Sequence, residues 1–237
     1  MTALERIRGG LVVSCQALPD EPLYSPQIMA RMAYAAKLGG ARGIRANSVL
    51  DINEIKKAVD LPVIGIIKAE YAGSPVYITP TMVEVDTLVA CGADIIAMDA
   101  TNRLRPGGIS LTEFFATVRA KYPTQLFMAD CATIDEGLAA AKLGFDAIGT
   151  TLSGYTEDSK NEPTPNLRMM AVLAYICGKP VIAEGNISTP QELRLAMECG
   201  VYAAVVGSAI TRPMLITQRF VEEMERFDNT QMYRRYK

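Results

Sequence analysis

The sequence predicts an α/β protein built as a single (β/α)8 TIM barrel, and three observations carry that prediction. A glycine-led pattern recurs in LGGARGIRAN, CGADIIAMDA, LGFDAIGTT and CGVYAAVVGSA, with Gly40, Gly92, Gly144 and Gly200 spaced 52, 52 and 56 residues apart. Four other apolar runs, GLVVSCQA, LPVIGIIKA, YPTQLFMADC and KPVIAEGN, bring the strand candidates to eight. Helical patterns follow most of these strands, and eight strand–helix units in 237 residues match a barrel of about 250 residues. An open doubly wound sheet is the competing architecture, but no G-x-G-x-x-G follows the first strand.

Each element has a local cause. The apolar strands lack strict alternation, which suits parallel strands covered on both faces. The recurring glycines sit where a helix ends, because glycine adopts the left-handed conformation at little cost. Ser25-Pro26 opens the first helix, with Ile28, Met32 and Ala36 on one face. Asp51 and Glu54 fit a capping arrangement before Ile55 and Val59. Ser110 with Glu113, Thr133 with Glu136, and Thr189-Pro190 with Glu192 open later helices. Residues 1–237 thus read as one catalytic barrel domain, with a short N-terminal arm and a C-terminal helix plus tail.

Composition narrows the functional classes. The chain is 49% hydrophobic and 21% charged with a net charge of −2, as expected of an ordinary soluble enzyme. No basic block points to nucleic acid, and no apolar run approaches the ~20 residues of a membrane span. The apolar run near the N-terminus is too short for a signal peptide. Five cysteines without a C-x-x-C spacing read as reduced thiols in a cytoplasmic protein. There is no histidine, so acid–base chemistry near neutral pH falls to Lys, carboxylates, Tyr or Cys. Neither a metal site nor a cofactor is expected.

In such a barrel the active site lies at the C-terminal ends of the strands. Those ends carry, in order, Gln16; Arg45 and Asn47; Lys68; Asp99; Asp130; Thr150, Thr151 and Tyr155; Glu184; and Ser208 with Arg212. Any one of these groups reads equally well as a cap or a loop charge. Together, carboxylates, a lysine and arginines at one mouth indicate an anionic substrate and proton transfer. Gly185-Asn186 and Gly207-Ser208 follow the last two strands, where exposed backbone N–H groups and helix N-termini suit a phosphate. Arg212 adds a charged fork there.

The motifs GLVVSCQALPDEPL, GIRAN, PVIGIIK, MDAT, GTTLSGYT, VIAEGN and VVGSAITRP resemble the N-acetylmannosamine-6-phosphate 2-epimerase family, from about Gly10 to Val221. The resemblance implies a metal-independent TIM barrel that interconverts N-acetylmannosamine 6-phosphate and N-acetylglucosamine 6-phosphate in amino-sugar and sialic acid breakdown. It implies Lys68 and Glu184 as the main catalytic groups, and Gln16, Arg45, Asp130 and Arg212 as substrate ligands, with Tyr155 beside them. It also implies a homodimer with exchanged C-terminal helices, for which Ile216, Phe220, Met224 and Phe227 offer an apolar stripe; packing of that stripe on the barrel itself is the other reading. The chemistry agrees. C2 is acidic only in the open-chain aldehyde, and Lys68 after an apolar run is placed to be a neutral base. Two alternatives stay open: a Schiff-base aldolase using the same lysine, and a non-catalytic sugar-phosphate-binding regulator. A pentulose-phosphate 3-epimerase, which resembles a histidine-built metal site, does not fit a chain without histidine.

Overall fold

The structure, a computed structural model, describes residues 1–226. Strands β1 (Leu11–Cys15), β2 (Gly43–Asn47), β3 (Val63–Ile66), β4 (Ile95–Asp99), β5 (Leu126–Asp130), β6 (Ala147–Gly149), β7 (Val181–Ala183) and β8 (Ala203–Val206) form a closed parallel barrel in chain order. The helices are α1 (Ala3–Ile7), α2 (Pro26–Leu38), α3 (Val49–Ala58), α4 (Met82–Ala90), α5 (Leu111–Lys121), α6 (Ile134–Leu143), α7 (Leu167–Ile176), α8 (Pro190–Glu198), α9 (Ser208–Thr211) and α10 (Pro213–Arg226). This is the single TIM barrel that the glycine repeat predicts.

The two-residue period of a strand divides the barrel into two cores. Val12, Ile64, Ile66, Ile95, Ala97, Met128, Ala147, Ile182, Ala203 and Val205 fill the interior. Their neighbours Val13, Ile44, Val63, Ile96, Phe127, Ile148, Val181 and Ala204 face the helices. The N-terminal arm is structural: Leu4 and Ile7 of α1 join the interior core, so α1 plugs the N-terminal mouth. Continuing the inward alternation past the apolar layers brings polar residues to the opposite mouth, which is how the fold makes a site.

Caps hold most helices where the sequence places them. Ser110, Thr133 and Thr189 form reciprocal capping boxes with Glu113, Glu136 and Glu192. Thr81 with Glu84 makes a further box at α4, after a long loop that hides it from a strand–helix pattern. Three expectations are corrected. The cap of α3 is Ser48, at φ 77°, whose hydroxyl accepts from the Asp51 N–H; Asp51 itself is buried in the first turn. Ser25 and Pro26 do open α2, but Ser25 makes no side-chain cap bond, and the buried face of α2 is Met29, Ala30 and Ala33, with Ile28, Met32 and Ala36 packed at its margin. β3 stops at Ile66, so Lys68 stands in the loop beyond it.

Gly65 allows α3 and α4 to lie close to β3. A Cβ there would meet the Ala93 Cβ at 2.8 Å, Ile52 Cδ1 at 3.0 Å and Leu88 Cδ2 at 3.1 Å. Gly65→Ala should therefore destabilise the fold by ~1–3 kcal/mol, the usual range for overpacking. Urea denaturation reads this directly, and a loss under about 0.5 kcal/mol, the scatter of neutral surface changes, would show that the helices can give way.

Candidate active site

Arg45, the inward residue of β2, is 1% exposed. Its Nη1 and Nη2 donate to the two oxygens of Asp130 on β5, at 3.1 and 2.6 Å. Nη1 also donates to Glu184 Oε2, just past β7, at 2.9 Å. Thr151 completes the cluster, its hydroxyl donating to Asp130 Oδ1 at 2.6 Å and lying 3.2 Å from Glu184 Oε2. Thr150 fixes the Glu184 backbone in turn, donating to its carbonyl and accepting from its N–H. Residues from β2, β5, β6 and β7 are thereby tied across the barrel.

Above this cluster opens a cavity of about 280 Å³. Lys68 lines it, and the Lys68 backbone is held twice: its N–H donates to Asn47 Oδ1 at 2.8 Å, and the residue bridges Ile78 across the loop that follows β3. Gln16 lines it from β1; its Nε2 donates to Ser14 Oγ at 2.8 Å while its buried Oε1 has no partner. Gly185, Asn186, Gly207 and Ser208 form the wall after β7 and β8. Gly185 adopts φ 112°, and a Cβ there would press on the Thr150 carbonyl at 3.2 Å. Tyr155 donates to Asn186 Oδ1 at 3.0 Å over the same wall. Helix α8 begins at Pro190, beyond the Gly185-Asn186 turn, whereas Gly207 directly precedes α9.

Four strand-end groups do not line the cavity: Asn47 and Thr150, which hold the Lys68 and Glu184 backbones, and Asp130 and Asp99. Asp130 is fully buried behind Arg45 and does not line the cavity; Arg45 and Thr151 occupy its oxygens. Asp99 likewise turns away, paired with Arg103 at 2.5 Å and bonded by Thr101. Arg212 does line the cavity but is already paired: its Nε and Nη2 donate to Glu21 Oε1 at 2.8 and 2.5 Å. Glu21, Ser14, Tyr77 and Arg219 are lining residues that sequence reasoning missed. Glu21 and Tyr77 lie on loops and Arg219 on the final helix, outside the strand-end rule, while Ser14 follows from counting inward residues along β1.

Burial and neighbouring charge shift the two main titratable groups in opposite directions. Burial pushes the Glu184 carboxyl up from 4.5 to about 7; Arg45 opposes this, Asp130 adds to it, and the Thr151 hydrogen bond and Lys68 pull back. Lys68 moves down, chiefly through desolvation by the surrounding walls, then through the cationic Arg45 and Arg212. Its side chain still meets solvent in the open cavity, so a ligand that displaces this water would strengthen the effect. Among the described residues, no three His, Cys, Asp or Glu side chains gather where they could hold a metal ion.

An eight-stranded barrel with this mouth belongs to the class of TIM-barrel enzymes that move protons on small anionic substrates. The comparisons narrow the class. The family model described as "Putative N-acetylmannosamine-6-phosphate epimerase" matches residues 29–226. A relative from Caldanaerobacter subterraneus subsp. tengcongensis, named "Putative N-acetylmannosamine-6-phosphate 2-epimerase", is 54% identical over 93% of each chain. One of the same name from Clostridium perfringens is 52% identical over 92% of this chain and 98% of its own. A solved structure of the N-acetylmannosamine-6-phosphate 2-epimerase from Clostridium perfringens superposes with a TM-score of 0.89 at 51% identity, covering 94% of this chain and 96% of that one. Thiamine phosphate pyrophosphorylase from Pyrococcus furiosus, at TM-score 0.59 and 19% identity over 87% and 89% of the two chains, shares the fold alone. The chain belongs to the N-acetylmannosamine-6-phosphate epimerase family.

The raised Glu184 pKa has a consequence for stability. Between pH 4.5 and about 7 the native carboxyl keeps a proton that the unfolded chain has released. That group's contribution is therefore complete below pH 4.5 and is lost as pH rises through about 7. Glu184→Gln removes this slope, so the variant should gain on the wild type by on the order of 1–3 kcal/mol across that window. Thermal unfolding of both proteins from pH 4.5 to 8 measures it; a stability difference that stays constant with pH would contradict it.

Proposed function

We propose that this chain interconverts N-acetylmannosamine 6-phosphate and N-acetylglucosamine 6-phosphate by removing and returning the proton at C2 of the open-chain sugar. The observation that carries the reading is the pairing, in one cavity, of a lysine whose pKa is lowered with a carboxyl raised to about 7. In the open chain, C1 is an aldehyde and the adjacent C2–H is acidic. Neutral Lys68 takes that proton as the C–H electron pair passes into an enolate with its negative charge on O1. C2 becomes planar, and return of a proton to the other face gives the epimer. Glu184, protonated in part near neutrality, moves the proton at the O1 or ring oxygen or holds Lys68 in place. Arg45 stabilises the oxyanion.

Substrate binding follows the walls. The turns at Gly185-Asn186 and Gly207-Ser208 with Arg212 take the phosphate, while Gln16 and Tyr155 take polar groups of the sugar. Asp130 enters this reading by holding Arg45, since it does not line the cavity. No step draws on a metal or a cofactor. A phosphorylated substrate and five free cysteines support a cytoplasmic location. Among the described residues, no helix is long and apolar enough to cross a membrane.

Incubating the protein with N-acetylmannosamine 6-phosphate in D2O, with a chelator present, should place deuterium at C2 of both sugars. Lys68→Ala should reduce that exchange by at least ~10³-fold, within the ~10²–10⁴-fold typical of a positioned base. Exchange near the wild-type rate in the variant would refute the lysine assignment, and a trapped borohydride adduct on Lys68 would favour the Schiff-base aldolase instead.

The same reading includes a homodimer. Helix α10 buries none of its residues, and Phe220, Val221 and Met224 are 71%, 45% and 76% exposed. Ile216 lies half-buried on the same helix, and Phe227 is outside the described residues. The stripe is thus not spent on the barrel, and a two-fold contact with a second copy is the commonest way to cover such a face. Light scattering at micromolar concentration should report twice the 25.7 kDa chain mass, and truncation after Arg219 should lower it. A monomeric full-length chain would sink the dimer.

A further inference from the structure

We infer that Arg219, on α10, is a further phosphate-binding residue, which supplies the surplus positive charge that the cavity needs for a sugar-phosphate dianion. This rests on the reading of the substrate as a sugar phosphate. The cavity is lined by four cationic side chains, Arg45, Lys68, Arg212 and Arg219, and by two carboxyl side chains, Glu21 and Glu184. Most of that positive charge is already matched. Arg45 gives both Nη atoms to Asp130 and Glu184. Arg212 gives Nε and Nη2 to Glu21. With Asp130 counted behind Arg45, the site without Arg219 is close to neutral when Glu184 is ionised and Lys68 is protonated. Once Lys68 acts as a neutral base, it is negative. Arg219 makes no ion pair or hydrogen bond with the described residues, so its charge is uncommitted.

Position agrees with charge. Ser208 opens α9, Arg212 ends it, and α10 starts at Pro213 and packs against α9. The Thr211 hydroxyl donates to the Ser14 carbonyl at 2.7 Å, which pins this turn to β1. Arg219 lies seven positions after Arg212, two helical turns along, and lines the same cavity. It therefore reaches the mouth on the side of the glycine turns. A long, exposed arginine with no partner among the described residues can close its fork on a phosphate oxygen after the ligand has entered, whereas Arg212 is held beforehand by Glu21. One strand-end cation is thus fixed in advance, and one helix cation is drawn in by the ligand.

The test separates binding from turnover. Inorganic phosphate is titrated calorimetrically into the wild type, Arg219→Gln, Arg219→Lys and Arg226→Gln, and C2 exchange gives KM and kcat for each. Arg226 is on the same helix, is exposed, and among the described residues pairs only with Glu223, so it controls for helix charge. Arg219→Gln should weaken phosphate binding and raise KM by about tenfold, the scale of one charge-assisted contact, with kcat within about twofold. Arg219→Lys should recover most of the loss, and Arg226→Gln should behave as wild type. Phosphate binding by Arg219→Gln as tight as the wild type, or an equal loss in Arg226→Gln, would overturn the inference. A wild type that binds phosphate but exchanges no proton at C2 would sink the epimerase reading, while the four phosphate titrations still decide on Arg219.

Discussion

A guanidinium sealed inside a barrel has to find acceptors there, and Arg45 finds them on two other strands. Burial alone would lower the affinity of this group for its proton; Asp130 and Glu184 more than compensate, and the net direction is upward. Removing one member of such a buried set leaves uncompensated charge, which typically costs ~3–5 kcal/mol. The arrangement therefore constrains what can stand around it. Thr151 adds its hydroxyl at the same two oxygens that Arg45 Nη1 holds, Thr150 clamps the Glu184 backbone, and Glu184 is left facing the cavity, bound on one side only. The mouth is held open by a polar cross-brace where the layers below it are closed by isoleucine, methionine and alanine.

The chain contains no histidine, so nothing in it titrates near neutrality by default. The barrel makes up for this with a lysine and a carboxyl moved toward each other from opposite ends of the scale. Low polarity does both, since it disfavours either charge; Arg45 adds to the shift of Lys68 and opposes that of Glu184. Each ionised form favours the other, as the smaller part of each shift.

Much of this was legible in the amino-acid string, for reasons that can be named. The four glycines mark chain reversals of one repeated unit, and repetition exposes a barrel even where single boundaries are vague. Arg45, Lys68 and Glu184 are charges interrupting or ending apolar runs, a visible conflict with burial. Other features leave no such mark. Ser48 caps α3 from a backbone at φ 77°, three residues before Asp51, and Asp51 with Glu54 repeats the same spacing one turn later and draws attention away from it. Asp130 looks the same as Glu184 in one dimension, since both end strands, but a neighbour from β2 hides one and exposes the other. Glu21 sits in a proline-rich loop as an ordinary surface acid, until Arg212, nearly the whole chain away, comes to meet it.

That long-distance meeting also bears on how the protein is made. Glu21 and Ser14 emerge from a ribosome long before Arg212 and Thr211, which follow 191 and 197 positions later. β1 stays an open edge until β8 arrives to pair with it. A growing chain can form strand–helix units one by one, yet it has no sealed mouth and no paired Arg212 until β8 and the turn after it have been made. The nascent chain therefore exposes an unpaired strand edge on β1 for as long as β8 is still to come, a kinetic burden of joining distant parts of one sequence in one site.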